Sequence, residues 1–594
     1  MAGIAGIVNY RKTAAEAADI CQNMLEGLKV RGKDVTGTYI SEEVCLVHTA
    51  YKAARDGKQP TRAFFGQKAY VIVFDGEIYN REELRTELAK LDHRFQDDSD
   101  AAVALHGYIA WGAACLDKFV GMFAFAVWDS EKLFMARDRL GLRPLFYSVG
   151  RAGLVIGSNL KAVLAHPDIH PIINANGVQE ILLLGPGKTP GSGLFKDVYE
   201  IMPGHFAIYS AMGFSQTRYW QLKARPHRES FNETLDNIRT LLKNAVKMQT
   251  GGDVVTLLSG GLDSSLMAAM SGARRSFSLD YIGNDRHFVA TEFQPESDGN
   301  YITQMVRHLG LSHKEVVLGS DELADALEAA TAARGYPGMA DVDASLLLFL
   351  QKVGETASVA LSGEGADEIF GGYPWFQDEN KLALIDKTTF PWAQSIEYRA
   401  SFISPEIQLS PPEEFIKTCF GKTPVDILYD DSPTEARTRK MFMLCLSWFL
   451  QTLSARNDAM SAAAGVTVRV PFLDHRLVEY LYNVPWELKN HKDREKGLLR
   501  EALKGALPEA VLWRKKSPFP KTHNPAYLSL VRDKLAATPY DAPIFQFVSR
   551  KSLGRLLKED SGVNWYGQLM AHPQTMAYFL QINAWMKEYS VKVE

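Results

Sequence analysis

From Val254 to Ala268 the chain reads VVTLLSGGLDSSLMA: an apolar, β-branched run stops at two glycines and restarts through Asp263, Ser264 and Ser265 into a helical pattern. A strand that turns through Gly260 and Gly261 into a helix points free backbone N–H groups, and the positive end of the helix dipole, at one place, where an anion is the favoured guest. Glycine lets the main chain approach that guest closely. The run lacks the lysine of G-x-x-x-x-G-K-[ST] and the spacing of G-x-G-x-x-G, so a different phosphate grip is required. S-G-G by itself also makes a tight strand-to-helix turn with Ser and Asp as caps; the complete SGGLDSS after VVTLL favours a nucleotide.

The loop needs a parallel α/β setting, and the sequence around it supplies one. After it come strand patterns at RRSFSLDYIG (274–283), KEVVLG and SVALSGEG, with helical stretches between them, and then a largely helical remainder. The first 210 residues have another rhythm. Short β-type runs such as KAYVIVFDGEIYN, GMFAFAVWD, KLFMARD and GLVIGS make this half mostly sheet, interrupted by helical patterns over 82–91 and 100–119. At 219–230 the pattern changes: Pro226 breaks regularity, and Ser230 with Glu233 forms a capping box ahead of FNETLDNIRTLLKNAVKMQ. The reading is two α/β units, 1–215 and 225–594, and 594 residues at 46% hydrophobic suffice for two cores.

Charge excludes some partners. The 66 basic and 70 acidic residues are interleaved to a net charge of -4, leaving no basic stripe for nucleic acid. The stretch MFMLCLSWFL (441–450) is too short to span a bilayer, and no secretory leader pattern opens the chain. The five cysteines, Cys21, Cys45, Cys115, Cys419 and Cys445, are widely spaced with no C-x-x-C pair, and read as buried thiols of a cytoplasmic protein.

Strand-S-G-G-x-D-S-helix is the pattern of the ATP pyrophosphatase loop, which grips the pyrophosphate part of ATP, uses the aspartate (here Asp263) toward Mg²⁺, and implies cleavage between the α and β phosphates. A second glycine-broken loop, VALSGEGADEIFGGYPWF (359–376), crowds Glu364, Asp367 and Glu368 together. Such a turn is often solvated or caps a helix, but a pyrophosphate-releasing site needs a second Mg²⁺ ligand, and Asp367 is the candidate. Lys496 opens a helix in DREKGLLREAL, and RKKSPFPKTH (514–523) is a basic loop. Lysines on helix surfaces are usually solvated; as a charge stabilising the α-phosphate while it is attacked, Lys496 would act as cationic groups do in phosphoryl transfer.

Taken together, SGGLDSS, SFSLDY, LSGEGADEIFGGY, VRVPFLDHRLVEY and DREKGLLREAL resemble the synthetase domain of glutamine-hydrolysing asparagine synthetases. GIAGIV, RGKD, DGEIYN, SDAAVALHGYIAWG, GMFAFAVWD and ARDRLGLRPLFY resemble that family's glutaminase domain, so the likeness covers nearly the whole chain. It implies an N-terminal-nucleophile αββα sandwich followed by an ATP pyrophosphatase α/β domain with a helical C-terminal part. It further implies that a carboxylate attacks the α-phosphate of ATP, that pyrophosphate leaves with Mg²⁺ between Asp263 and Asp367, and that ammonia or an amine displaces AMP. By position, Leu257, Ser259, Gly260, Gly261, Leu262, Asp263, Ser264, Ser265, Leu279, Ser362 and Gly363 would contact ATP. Glu364 would assist adenylate formation or deprotonate the amine, and Lys496 would stabilise the phosphoryl transition state. A homodimer is an arrangement left open.

The front half departs from the pattern. The family removes its first methionine and uses the following cysteine to hydrolyse glutamine; here that position is Ala2. Ala50 in HTAY stands where the family has the arginine of HRRL that grips glutamine, and Asp75 stands where the Asn of NGEIYN supplies an oxyanion donor. Gly76, Glu77 and Asp100 are retained. Three losses together read as a retired glutaminase, with an engineered cysteine-to-alanine change accounting for Ala2 alone. In the back half Ala459 and Thr467 replace an arginine and a glutamate, near where substrates are expected to sit, so the acid need not be aspartate. The leading expectation is an AMP-forming amide ligase taking ammonia or a small amine. One alternative is intramolecular cyclisation of the β-lactam synthetase or lasso cyclase kind, against which Glu364 speaks because β-lactam enzymes resemble this chain with tyrosine there. Another is a silent ATP-binding subunit. YPGMADVDASL (336–346) and RNDAMSAAAG (456–465) are the expected substrate-lining segments.

Overall fold

The computed structural model describes residues 2–9, 13–52, 57–288, 290 and 296–594. In the front half, strand alternation sorts side chains to two faces. Along β1 (Ala2–Val8), Ile4 and Val8 face one core while Ala5 and Ile7 face another. β1 pairs antiparallel with β2 (Val44–Ala50), placing Ala2 opposite Ala50, and β3 (Lys68–Ile78) pairs with β4 (Gly121–Trp128), Phe74 opposite Phe125. Each pair belongs to a six-stranded antiparallel sheet. The inner faces meet through Ile4, Val44 and Leu46 from one sheet and Val71, Val73, Ala124 and Ala126 from the other. α1 (Ala14–Leu28) covers the outside of the first sheet with Ile20, Met24 and Leu28, and α2 (Asp100–Trp111) covers the second with Ala104, Leu105 and Tyr108. This is the expected αββα sandwich.

Two expectations are corrected here. The pattern over 100–119 is not one helix, because Gly112 takes a φ of +57° and ends α2 before a short 3₁₀ turn and a further short helix. Nor are all the cysteines thiols: α1 lies directly over β2, and Cys21 is joined to Cys45 in a disulfide, while Cys115, Cys419 and Cys445 are free and buried.

The second half begins with α3 (Phe231–Gln249), whose capping box forms as expected: Ser230 accepts from the Glu233 N–H, and Glu233 reaches back to the Ser230 N–H at 2.8 Å. Five parallel strands follow: β5 (Val255–Leu257), β6 (Arg275–Tyr281), β7 (Ser312–Leu318), β8 (Val359–Leu361) and β9 (Thr467–Arg469), in the order β7-β6-β5-β8-β9. The direction of winding reverses at β5, so a crevice opens beyond its carboxyl end. α4 (Leu262–Ser271) leaves from that end, and α5 (Asp341–Gly354), α6 (Leu450–Ala464) and α7 (Gly497–Ala502) frame the crevice. Among the described residues, no helix is long and apolar enough to cross a membrane.

Inside the sandwich, His48 of β2 is fully buried and neither ring nitrogen has a hydrogen-bond partner. Burial pushes its pKa down to about 3. A base held below its unfolded value of about 6.5 contributes stability above that pH and loses it as pH falls toward 3. Urea denaturation should show wild type losing about 2 kcal/mol more than His48→Gln between pH 7 and pH 5; equal losses would contradict this.

Candidate active site

A cavity of about 250 Å³ lies at the carboxyl ends of β5, β6 and β8. Leu257, Ser259, Gly261, Leu262, Asp263 and Ser264 line one side, Leu279 another, and Ser362, Gly363 and Glu364 the side facing β8, so most of the residues expected to touch ATP converge here. Gly260 and Ser265 do not line it. Gly260 adopts a φ of +68°, and a Cβ there would stand 2.8 Å from Tyr301; Ser265 is fully buried beneath the turn. Both shape the loop from behind. Ser264 pins it, its Oγ accepting from the Ser259 N–H at 3.1 Å and bonding the Ser259 hydroxyl at 3.0 Å. The two loops are packed in backbone contact: a Cβ on Gly363 would meet the Ser264 N and the Asp263 carbonyl carbon at 2.8 Å.

That contact brings the acids together. Lys496 Nζ lies 2.5 Å from Asp263 Oδ2 and 2.6 Å from Asp367 Oδ1, with Lys516 Nζ 3.0 Å from Asp367 Oδ2. Lys496 is 2% exposed and holds a left-handed backbone, φ 55°, at the start of α7. Burial raises the Asp263 carboxyl above its ordinary value in spite of Lys496, whereas at Asp367 burial is outweighed by Lys496 and Lys516, which hold it at about 2. Burial alone would lower Lys496, but the two carboxylates raise it. A cation fits this pair: Asp263 Oδ1 is buried with no hydrogen-bond partner. No cluster of three or more His, Cys, Asp or Glu suited to a metal occurs among the described residues, and Mg²⁺ ordinarily needs only one or two carboxylates beside substrate phosphates.

The acidic crowd in the second loop divides. Glu364 forms an ion pair with Arg456 of α6, and its N–H donates to Ser362 Oγ at 3.2 Å. Glu368 turns inward, accepts from the Tyr373 hydroxyl at 2.6 Å, and is pushed up to about 7 by burial and then by Asp367. Of the expected lining segments, Leu346, Arg456 and Asn457 reach the cavity. Ala459 and Thr467 do not line it, which corrects their expected place: Ala459 packs into the core, and Thr467 sits in the sheet opposite Val359. Arg456 was signalled only as part of the expected segment 456–465, and Arg514 and Lys516 only by their basic loop, none with an assigned role.

The front residues meet the back half through buried charge. Arg31 Nε donates to the Ala2 carbonyl at 3.0 Å, and its terminal nitrogens reach Asp75 at 2.8 Å and Asp458 of α6 at 2.6 Å. Arg143 binds the other oxygen of Asp458 at 2.7 Å. Burial works against Arg31 carrying its charge, but Asp458 and Asp75 raise its pKa overall, and the two arginines hold Asp458 below its ordinary value. Glu77 is engaged by Arg469 of β9 through two bonds of 2.7 and 2.6 Å. Gly76 has a φ of +144° with Met122 O only 2.1 Å from a would-be Cβ, and Asp100 is buried 3.8 Å from Arg81. Ala2 and Ala50 stand opposite each other in the β1–β2 ladder, and neither side chain carries a functional group.

Removing Arg31 leaves buried Asp75 without its ion-pair partner and Asp458 with Arg143 alone, so Arg31→Met should cost about 3–5 kcal/mol in chemical denaturation. Adding Asp75→Asn should restore at least about 1 kcal/mol, and strictly additive effects would contradict a shared cluster.

Comparison with known proteins places these features. The asparagine synthase family profile matches residues 237–587, and the glutamine amidotransferase domain profile matches residues 1–220. Asparagine synthetase [glutamine-hydrolyzing] 3 of Bacillus subtilis strain 168 is 40% identical over 617 residues, covering 100% of both chains. Asparagine synthetase B [glutamine-hydrolyzing] of Escherichia coli K12 is 27% identical over 545 residues, 87% of this chain and 82% of that one. A full-length match at that identity, together with the two converging loops and their aspartates, means that the chain belongs to the asparagine synthase family.

Proposed function

We propose that the chain is an ATP-dependent, AMP-forming amide ligase that takes ammonia or a small amine directly, with a retired front unit over 1–215 and the ligase over 225–594. The observation that carries it is Lys496 held between Asp263 and Asp367, beside Glu364 and the SGGLDSS turn. The turn and the dipole of α4 hold the phosphates, with Leu257 and Leu279 toward the base. Asp263 and Asp367 would hold Mg²⁺, which when bound draws charge from the departing pyrophosphate. Lys496 stands where negative charge grows on the α-phosphate as a carboxylate oxygen attacks it. Glu364, oriented by Arg456, takes the proton from the amine as it attacks the acyl carbon and AMP departs.

Four features support a front unit that does not hydrolyse glutamine. Ala2 offers no nucleophile, and Ala50 offers no cation for a glutamine carboxylate. Asp75 carries a charge that repels an oxyanion and is bound to Arg31, while Glu77 is taken by Arg469. The relatives named glutamine-hydrolysing make this the claim to test. With ATP, Mg²⁺ and a panel of acids, ammonium should support AMP and pyrophosphate formation at least tenfold faster than glutamine; equal rates would overturn the reading of the front unit. Lys496→Met should lower kcat by at least about a hundredfold, with ATP still bound, and a rate within threefold of wild type would remove Lys496 from the mechanism.

A further inference from the structure

The charges in the cavity are segregated. Lys496 and Lys516 face the aspartates, and Arg514 and Arg500, also lining it, are held by Asp298 at 2.5 Å and Glu495 at 2.9 Å. The wall beyond Glu364 is of another kind. It is built from Trp375, Phe449, Leu453, Phe519 and Leu569. Trp375 stacks on Tyr373 with ring centroids 4.5 Å apart and meets Phe449 edge-on at 5.4 Å, so the aromatic surface is braced. Two cations stand against these rings: Arg456 lies over the Phe519 ring at 5.3 Å and is already committed to Glu364, and Lys516 lies over the Tyr373 ring at 5.4 Å and is paired with Asp367. Lys515, the remaining lining cation, is exposed; Asn457 and Gln568 are neutral amides, and Glu368, which also lines the cavity, is held by the Tyr373 hydroxyl.

The geometry points to an acceptor acid that is a monocarboxylate with an apolar, aromatic-sized body, rather than an acid bearing a second charge. This rests on the adenylation reading above. A second carboxylate or an ammonium group placed against that wall would lose water beside rings and neutral amides, with Arg456 already paired to Glu364 and Lys515 out in solvent, whereas an apolar body gains by covering the rings. The acid's single carboxylate lies toward Lys496, and its tail lies along Trp375 and Phe519.

The test measures binding and chemistry separately. Calorimetry on the full chain with a non-hydrolysable ATP analogue and Mg²⁺ should give 3-phenylpropanoate and hexanoate at least tenfold lower Kd than L-aspartate or succinate. Leu569→Asp, at a partly exposed position, should erase that preference at an unchanged melting temperature. Aspartate binding as tightly as 3-phenylpropanoate, or neither apolar acid binding, overturns the proposal, as does a preference that survives Leu569→Asp. Nucleotide products report the other reading independently: ADP in place of AMP would end the adenylation account even with the binding order as expected.

Discussion

A lysine between two aspartates organises the back half of this protein. Asp263 comes from the turn after β5 and Asp367 from the loop after β8, and two carboxylates approaching in a buried site repel each other unless a cation intervenes. Lys496 supplies it, from a third segment and with its backbone held in a left-handed conformation. The close contact of Gly363 with the Asp263 backbone, where no side chain fits, makes the approach sterically allowed. Each element is unfavourable in isolation, and the set is stable only as a unit. Such a constellation suits a site where charge moves.

The same logic governs the joint between the halves. Asp75, Arg31, Asp458 and Arg143 alternate in sign through a buried interface, and Arg469 grips Glu77 beside them. Residues that the family pattern assigns to glutamine handling thus serve here to bind the front sandwich to α6 and β9. α6 also carries Arg456, two residues from Asp458, so the joint and the orientation of Glu364 share one helix.

Local pattern made much of this legible in advance. The strand, glycine turn and helix around Asp263, the capping box at Ser230 and the alternation of strands and helices are short-range features that sequence encodes directly. The acids at 364, 367 and 368 looked alike in sequence, and only packing gave them different partners: Arg456 for Glu364, Lys496 for Asp367 and the Tyr373 hydroxyl for Glu368. Arg456 and the Arg31–Asp458 contact join residues far apart in the chain, and no periodicity announces them. Ala459 and Thr467 were expected near substrate because they break a pattern, but a break records a change in chemistry without recording which way a side chain faces. The Cys21–Cys45 bond was invisible for a similar reason: spacing gives no hint that α1 lies across β2.

The central claim is that a carboxylate oxygen attacks the α-phosphate in the cavity above β5. It is tested most directly with the best acid substrate labelled with ¹⁸O in its carboxyl group and mass analysis of the nucleotide after turnover with ammonium. The account predicts AMP carrying one ¹⁸O atom alongside unlabelled pyrophosphate. Unlabelled AMP, or ADP with the label in inorganic phosphate, would contradict it.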